Sequence, residues 1–267
     1  MSVDPHVYLE TLGRHADGAI DIAQAALMLA ALDHPGLPLE PAQAHLADIA
    51  EAMKAQGPMI ARVGDGARAL STQLSTRLGY EGDRFTYDDP SNADLIQVIE
   101  RRRGLPVTLG ILYMHAARAA GMTATGLNTQ SHFLVRIAHR HDDVTIDPFN
   151  GGALLDDGHP LPAALAEAHL AEPVTDIDVL LRLQNNLKIR ALEAEKGARA
   201  LEIAGRMALI APRRPDVWFD LARLNEANGV LGASRRAYER CLELSPQGAP
   251  LHNEAALLLA HLKRRLN

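Results

Sequence analysis

A histidine and an aspartate, two residue types that cooperate in acyl-transfer catalysis, flank a predicted β-hairpin. His132 opens the run HFLVRIAH, and Asp147 closes the next strand, within the run DVTIDPFN. Both runs alternate as strands do, and the polar segment between them predicts a turn. Residues equidistant from a hairpin turn face each other, so the imidazole of His132 and the carboxylate of Asp147 are expected to lie within reach of each other. A carboxylate in that position fixes the tautomer of the imidazole and stabilises its protonated form.

A nucleophile is the third requirement of such a site. It is expected at a helix N-terminus, where the helix dipole lowers the pKa of a thiol. The candidate helix, VTLGILYMHAARAAG, begins near Pro106, and Thr108 carries the nearby hydroxyl group. A threonine hydroxyl is far less acidic than a thiol and needs a strong, well-aligned base. Two interpretations of Thr108 stay open: a nucleophile, or a helix-start residue that bonds backbone N–H groups. The histidine and aspartate are likewise either catalytic or a structural hydrogen-bonded pair.

Three other polar segments are weaker candidates. Residues 139–143 hold two histidines and two aspartates and are expected to be a solvated turn, so no metal site and no cofactor is predicted. Residues 100–103 are a Glu-Arg-Arg-Arg cluster at a helix end, where cations suit the dipole. One of these arginines is expected to pair with the acidic residues 88–89. The glycines at 151–152 permit a tight turn with positive φ.

Helices are predicted on both sides of the hairpin. Apolar residues recur at helical spacing in four earlier segments, residues 17–34, 39–55, 58–79 (one helix or two short ones) and 93–103. Ser91 or Asn92 is expected to cap the last of these. The run TATGLN predicts a further strand over residues 123–128, and residues 160–174 are expected to form a helical connector.

The C-terminal part of the chain contains an internal repeat. Residues 184–212 align with 218–246 at a constant offset of 34 residues. In the second copy Trp218, Tyr238 and the small residues between them have the spacing of a tetratricopeptide repeat. The register places Cys241, the chain's single cysteine, inside a helical hairpin at the position equivalent to Met207. An incomplete third copy beginning near residue 251 predicts a capping helix with a basic outer face.

The composition excludes several classes of protein. The chain has 267 residues, a formal net charge of −6, 47% hydrophobic residues and 22% charged residues, which is typical of a soluble protein with one or two domains. It contains no apolar run of the roughly 18 residues that a membrane helix needs. The N-terminus lacks the pattern of a signal peptide, so a cytoplasmic location without membrane contact is expected. The chain contains no basic run with interleaved aromatic residues, so nucleic-acid binding is not predicted.

The motifs ERRRGLPVTLGILY, QSHFLVR and DPFNGG resemble the transglutaminase-like core of the papain-type cysteine-enzyme superfamily. Together with NNLK and the repeats, they are most similar to the bacterial "Sir-B" invasion-regulator-type family. The resemblance runs from about residue 17 to the end. It implies an α+β fold: N-terminal helices and a papain/transglutaminase-like core with a small antiparallel sheet in residues 1–175, then α-helical tetratricopeptide repeats in residues 176–267.

The resemblance also assigns the candidate site. In the superfamily a cysteine opens the helix, a histidine opens a strand and an aspartate ends the neighbouring strand. His132 matches the histidine and Asp147 the aspartate, but the cysteine position falls on or near Pro106, which has no nucleophile. In the closer family this helix generally begins with a hydroxyl residue, here Thr108.

These features predict a non-catalytic or catalytically impaired protein that binds a protein or peptide partner through its repeat groove, as a scaffold or regulator. The alternative is an amide-bond hydrolase or transamidase that uses His132, Asp147 and the non-cysteine nucleophile Thr108. A third class, a nucleic-acid-binding regulator, is suggested only by the family's label and the basic C-terminal tail.

Overall fold

The computed structural model of the chain describes residues 3–14, 20–129, 133–155 and 172–266. It divides into two compact units. One spans Met1–His6 and Ala19–Leu183, and the other spans Val7–Gly18 and Gln184–Asn267. The division falls inside helix α7 (Asp176–Glu193). That residues 1–175 and 176–267 are separate domains stays a prediction.

The helices of the first unit include two that are buried almost all round. The bounds are α2 (Ile22–Ala31), α3 (Glu40–Gln56), α4 (Val63–Ser71), α5 (Leu95–Arg101) and α6 (Pro106–Ala119). In α2 and α6 apolar and small side chains occupy nearly every position, and nearly every position is buried. A helix that is apolar on all faces is stable only inside a core. Helix α3 buries a single stripe instead, with Leu46, Ile49 and Met53 at helical spacing.

The predicted helices before the hairpin are confirmed, with one correction at a cap. Helix α4 continues into a π-helical segment, Thr72–Arg77, so residues 58–79 hold two consecutive helical pieces. Helix α5 is capped by Asp94, whose carboxylate accepts a hydrogen bond from the N–H of Gln97 at 3.1 Å. The prediction that Ser91 or Asn92 caps α5 is wrong, because both lie in a separate 3₁₀ turn, Pro90–Ala93.

Among the described residues, five strands form one antiparallel sheet, in which residues 153–154, 142–147, 133–139, 123–128 and 172–174 lie side by side in that order. They are β3 (Thr123–Asn128), β4 (Phe133–His139), β5 (Asp142–Asp147), β6 (Ala153–Leu154) and β7 (Glu172–Val174). A separate parallel pair joins β1 (Glu81–Gly82) to β2 (Arg103–Gly104). The predicted β4–β5 hairpin is confirmed. The helical connector predicted over 160–174 is wrong at 172–174, which pair with β3 as a strand; residues 160–171 lie outside the described residues.

The register of the β4–β5 hairpin differs from the predicted one by two residues. A pairing of 132 with 147 would put Val135 opposite Val144, but Val135 pairs with Ile146. The last pair before the turn is His139 with Asp142, so the turn consists of only two residues. Its first residue, Arg140, has φ 60°. Positive φ is what the two-residue turns of hairpins require.

Helix α6 lies directly against the sheet because glycines remove the side chains that would separate them. A Cβ on Gly110 of α6 would lie 2.4 Å from the Phe133 ring, and a Cβ on Gly126 of β3 would lie 2.7 Å from it. The Phe133 ring is fully buried. Because neither glycine can be enlarged without displacing this ring, both fix the distance between α6 and the start of β4.

The second unit is built from the predicted repeats. Its helices are α8 (Gly197–Ile210), α9 (Pro215–Ala227), α10 (Leu231–Leu244) and α11 (Pro250–Leu266), with the end of α7 and all but the first two residues of α1 (Pro5–Arg14). Cys241 is fully buried and packs with Tyr238 and Phe219, as the repeat register predicts. The predicted capping helix is α11, which buries Ala255, Leu259 and Leu262.

Helix α1 was not predicted from the sequence. Gly13 of α1 approaches α8 so closely that a Cβ there would lie 2.1 Å from the carbonyl oxygen of Leu209. Leu9 is fully buried. Among the described helices, none is long and apolar enough to cross a membrane.

Candidate active site

The three predicted site residues differ in what the structure describes. His132 lies outside the described residues. Asp147, at the end of β5, is 2% exposed, and Thr108, in the first turn of α6, is 0% exposed. Thr108 and Asp147 do not bond to each other; each has other hydrogen-bond partners. The register of the hairpin does not place position 132 directly opposite Asp147. That the imidazole of His132 reaches the carboxylate stays a prediction.

The carboxylate of Asp147 is engaged by the turn that follows it. One oxygen accepts the N–H of Phe149 at 3.0 Å and the N–H of Asn150 at 3.3 Å; the other accepts the side-chain amide of Asn150 at 2.5 Å. Asp147 is thus the N-cap of the 3₁₀ turn Pro148–Asn150. This is the ordinary structural use of an aspartate, since it satisfies N–H groups that a short helix leaves unpaired.

A double-glycine turn follows, with φ 68° at Gly151 and 76° at Gly152. The positive φ predicted for this pair is confirmed. A Cβ on Gly152 would lie 2.8 Å from the hydroxyl of Tyr113, so the turn passes directly over that ring. The turn is closed by a 2.8 Å hydrogen bond from the N–H of Gly152 to the carbonyl of Asp147.

Tyr113, on α6, is a polar residue of this region that sequence reasoning missed. It is 1% exposed, and its hydroxyl has no hydrogen-bond partner among the described residues. Burial raises the pKa of Tyr113, and the nearby charge of Asp147 raises it further. The hydroxyl therefore stays protonated at neutral pH. The sequence offers little indication of a functional role for Tyr113, because a tyrosine in an apolar helix is most simply interpreted as a core residue.

Thr108 is held by a hydrogen bond to another segment of the chain. Its hydroxyl donates to the carbonyl oxygen of Asn92 at 2.8 Å, and the N–H of Leu105 donates to the same oxygen at 2.9 Å. The prediction that Thr108 bonds helix N–H groups is therefore wrong: the hydroxyl donates to a carbonyl outside the helix. Leu105 is the N-cap of α6 and Pro106 the first helical residue, a position that suits proline because no N–H is needed there.

Asn92 belongs to a polar network that orders residues 83–94. Its side-chain amide donates to the carbonyl of Thr86 at 2.6 Å, and its side-chain oxygen accepts from Arg101 at 3.3 Å. Arg101 also pairs with Asp83 at 3.1 Å. The arginine cluster therefore does use a carboxylate of this loop, but the acid is Asp83, not residues 88–89 as predicted.

The carboxylate of Asp83 is almost fully buried and has several donors. It accepts the hydroxyl of Thr86 at 2.6 Å and the N–H groups of Thr86 and Phe85 at 2.8 and 3.0 Å. These hydrogen bonds, led by the Thr86 hydroxyl, lower the pKa of Asp83 to about 2. A carboxylate this strongly stabilised as an anion is a poor general base, so its role is to order the loop.

Arginines stack on the aromatic rings beside this loop. Arg84 lies over the ring of Phe149, 5.4 Å from its centroid, and donates to the side chain of Asn150. Tyr87 meets the same ring edge-on at 5.9 Å. Residue 85 is a phenylalanine that is 90% exposed. A shallow cavity of about 360 Å³ lies between these groups and the β1–β2 pair.

The chain's single thiol, Cys241, lies in the second unit. Burial raises the pKa of Cys241, which disfavours the thiolate that a nucleophile needs. Among the described residues no cluster of three or more metal-ligating side chains is present.

Comparisons with known proteins agree with this architecture. A family model described as "Transglutaminase-like superfamily" matches residues 40–185, which is more than half of the chain. The chain belongs to that superfamily. A model of the tetratricopeptide repeat matches residues 187–263, so this transglutaminase-like protein carries a repeat region at its C-terminal end.

Relatives of this transglutaminase-like protein include bacterial proteins of similar length. A "UPF0162 protein" of Xylella fastidiosa (strain 9a5c) is 27% identical over 241 residues, which cover 86% of each chain. A "UPF0162 protein" of Pseudomonas aeruginosa is 28% identical over 242 residues, 90% of this chain and 77% of the relative. The "F-box only protein 21" of Mus musculus is 33% identical over 82 residues, which are 31% of this chain and 13% of that protein.

Proposed function

We propose that the transglutaminase-like unit is not catalytic and that the protein binds a protein or peptide partner through its tetratricopeptide repeats, in the cytoplasm. One observation carries the first half of the proposal. Thr108, the only hydroxyl that sequence analysis offered as a nucleophile, is 0% exposed, and its hydroxyl donates to the carbonyl of Asn92.

A nucleophilic hydroxyl must reach the substrate carbonyl and lose its proton to a base. The proton of Thr108 points instead to a backbone oxygen that also accepts the N–H of Leu105. For attack, this hydrogen bond would have to break and the buried hydroxyl would have to become accessible. The alternative function, amide-bond hydrolysis or transfer through His132, Asp147 and Thr108, carries that cost.

The engagement of Asp147 supports the same view. Its two oxygens accept three hydrogen bonds from Phe149 and Asn150, so the residue has a complete structural role without a histidine. A carboxylate retained as a cap explains why an aspartate stands there even when no reaction uses it.

The repeats offer an exposed apolar pair for a partner. Ile189 and Leu192 on α7 are each 44% exposed, and residues three apart are neighbours on a helix surface. At the 34-residue offset their equivalents on α9 are Arg223 and Glu226. Apolar anchors followed by charged positions suit an extended or helical peptide laid across the repeats.

The first experiment tests catalysis. The full chain is assayed for hydrolysis of glutamine-containing peptides and for transamidation with hydroxylamine, beside His132→Ala and Thr108→Val. We expect no turnover in any of the three proteins. Turnover in the parent that both substitutions abolish, while both variants remain folded at the assay temperature, would overturn the non-catalytic proposal and establish the alternative.

The second experiment tests the repeats. Partners crosslinked to the parent in cells are compared with those of Ile189→Lys plus Leu192→Lys and with those of Val230→Lys. Val230 is 46% exposed and lies outside α7, which makes it a matched control. We expect the double variant to lose partners that the control retains. Equal recovery of the same partners by all three proteins would refute binding at this face.

A further inference from the structure

A pocket of about 400 Å³ lies between α3, α5 and the segment that leads into α3. This volume is within the usual range of small-molecule sites, roughly 300–1,000 Å³. Its walls are mainly aliphatic and proline side chains: Leu37, Pro38, Leu39, Pro41, Ala42, Ile96 and Ile99. Three further residues, His45, Glu100 and Arg102, add polar groups. None of the assigned site residues lines it.

The polar groups of the pocket form a fixed cluster around one guanidinium. Nη1 of Arg102 donates to the hydroxyl of Tyr80 and to Nε2 of His45, each at 2.5 Å, and the guanidinium stacks on the Tyr80 ring at 4.8 Å. The ring of Tyr80 is itself 1% exposed. Arg102 is therefore anchored along one edge, and the donors on Nε and Nη2 have no partner among the described residues.

The cluster carries a positive charge, and the one carboxylate among the lining residues of the pocket, Glu100, forms no ion pair with it. Among the described residues Arg102 forms no ion pair, whereas its neighbours Arg101 and Arg103 pair with Asp83 and Glu81. Burial raises the pKa of Tyr80 to about 12, so its hydroxyl is neutral. Burial and the charge of Arg102 lower the pKa of His45, so the imidazole is also neutral at pH 7.

The backbone at Arg102 also distinguishes this position. It has φ 61° and ends α5 in the left-handed conformation. Glycine or asparagine is usual there, because other residues pay a steric cost. Residues held in such conformations cluster at ligand-binding sites. Here the turn directs the arginine into the pocket rather than along the helix.

We propose that this pocket binds a small aliphatic monocarboxylate, with the carboxylate on the free edge of the Arg102 guanidinium and the chain against the aliphatic walls. Charge complementarity selects the anion, because a planar guanidinium presents parallel N–H donors to a carboxylate. The walls select an apolar body, because burial of its surface supplies the remaining affinity. The proposal is independent of the function proposed for the repeats and of the acyl-transfer residues.

The test is calorimetric titration of the full chain with octanoate, n-octanol and octylammonium. We expect octanoate to bind at one site and the alcohol and the cation to bind at least roughly tenfold more weakly, as for a lost charged hydrogen bond. Arg102→Gln is expected to weaken octanoate by about tenfold or more. Arg103→Gln, which makes the same charge change next to the pocket, is the matched control and is expected to bind as the parent does.

A second variant keeps the proposal testable if Arg102→Gln fails to fold. Ala42→Phe fills the pocket and leaves the guanidinium intact, so it is expected to abolish octanoate binding. Three outcomes would overturn the proposal: no octanoate binding to the parent at millimolar concentration, equal binding of octanol, or octanoate affinity unchanged in Ala42→Phe.

Discussion

The hydroxyl of Thr108 donates to the carbonyl oxygen of Asn92 at 2.8 Å, and so the first turn of α6 is tied to the loop of residues 83–94. The superfamily's reactive group belongs at this end of the helix. In this chain the end of the helix is instead a buried junction, where the same carbonyl also accepts the N–H of Leu105 at 2.9 Å.

Substitution of Thr108 measures this junction. Thr108→Val removes the donor and keeps the shape, and Asn92 retains its bond from Leu105. We expect the free energy of unfolding to fall by about 1 kcal/mol in urea denaturation. Thr108→Ser keeps the hydroxyl and loses a buried methyl group, which costs about the same through packing. A Val variant as stable as the parent would contradict the hydrogen bond.

The anion of Asp83 predicts a pH dependence of stability. Its pKa in the fold is about 2, below the ordinary value of 3.8, so the unfolded chain takes up the proton first as pH falls. The stabilisation is complete above about pH 4 and is lost between there and about pH 2. We expect Asp83→Asn to cost about 1–3 kcal/mol at pH 7 and to reduce the acid-dependent loss.

Thr86→Val provides the second arm of that experiment. It removes the hydroxyl that contributes most to the low pKa of Asp83, so the acid transition should move towards higher pH. Urea denaturation at a series of pH values checks both variants. If Asp83→Asn has the same pH profile as the parent, another carboxylate is responsible for the acid loss.

Two serines of the repeat unit are expected to respond in opposite directions. Ser234 is fully buried, and its hydroxyl has no partner among the described residues, so Ser234→Ala should stabilise the protein by about 0.5–1 kcal/mol. The hydroxyl of Ser245 donates to the carbonyl of Cys241 at 2.6 Å, so Ser245→Ala should cost about 1 kcal/mol. Thermal denaturation measures the stability of both variants. A Ser234→Ala variant less stable than the parent, or a Ser245→Ala variant more stable than it, would contradict these hydrogen-bond assignments.

The burial of the Cys241 thiol predicts slow reaction with thiol reagents. Because Cys241 is 0% exposed and burial raises its pKa, thiol reagents should label native protein only at the rate of local opening. Cys241→Ser should lower the free energy of unfolding by about 1–2 kcal/mol, since it buries a more polar group. Immediate stoichiometric labelling of the native chain would place the thiol at the surface.

The elements of the fold were predictable because their signals are local. The repeat offset located α8 to α10 and buried Cys241, and alternation located β4 and β5. The register failed because it depends on the turn: the predicted turn is centred between His139 and Arg140, whereas the observed one is centred between Arg140 and His141. A shift of one residue at the turn moves every cross-strand partner by two.

Contacts between distant segments were not predictable in this way. The sequence alone allows Arg101 to pair with any acidic residue of the preceding loop. It pairs with Asp83 because β1 pairs with β2, and strands of two residues have no recognisable sequence pattern. The carbonyl acceptor of Thr108 is a backbone atom, which carries no residue signature at all. The Arg102 pocket also depends on contacts between distant segments, so the sequence indicated only a charged helix end at residues 100–103.

The contacts of helix α7 limit where recombination can divide the gene of this protein. Near its start Asp176 pairs with Arg118 at 2.7 Å, and Val179 packs over Gly126 of the sheet. Towards its other end Lys188 pairs with Asp220 of the repeats. A recombination breakpoint between Val179 and Lys188 would therefore separate α7 from one of these two sets of contacts. We therefore expect the two regions to be inherited together. A single crossover within α7 should not exchange the repeats of this protein for those of another.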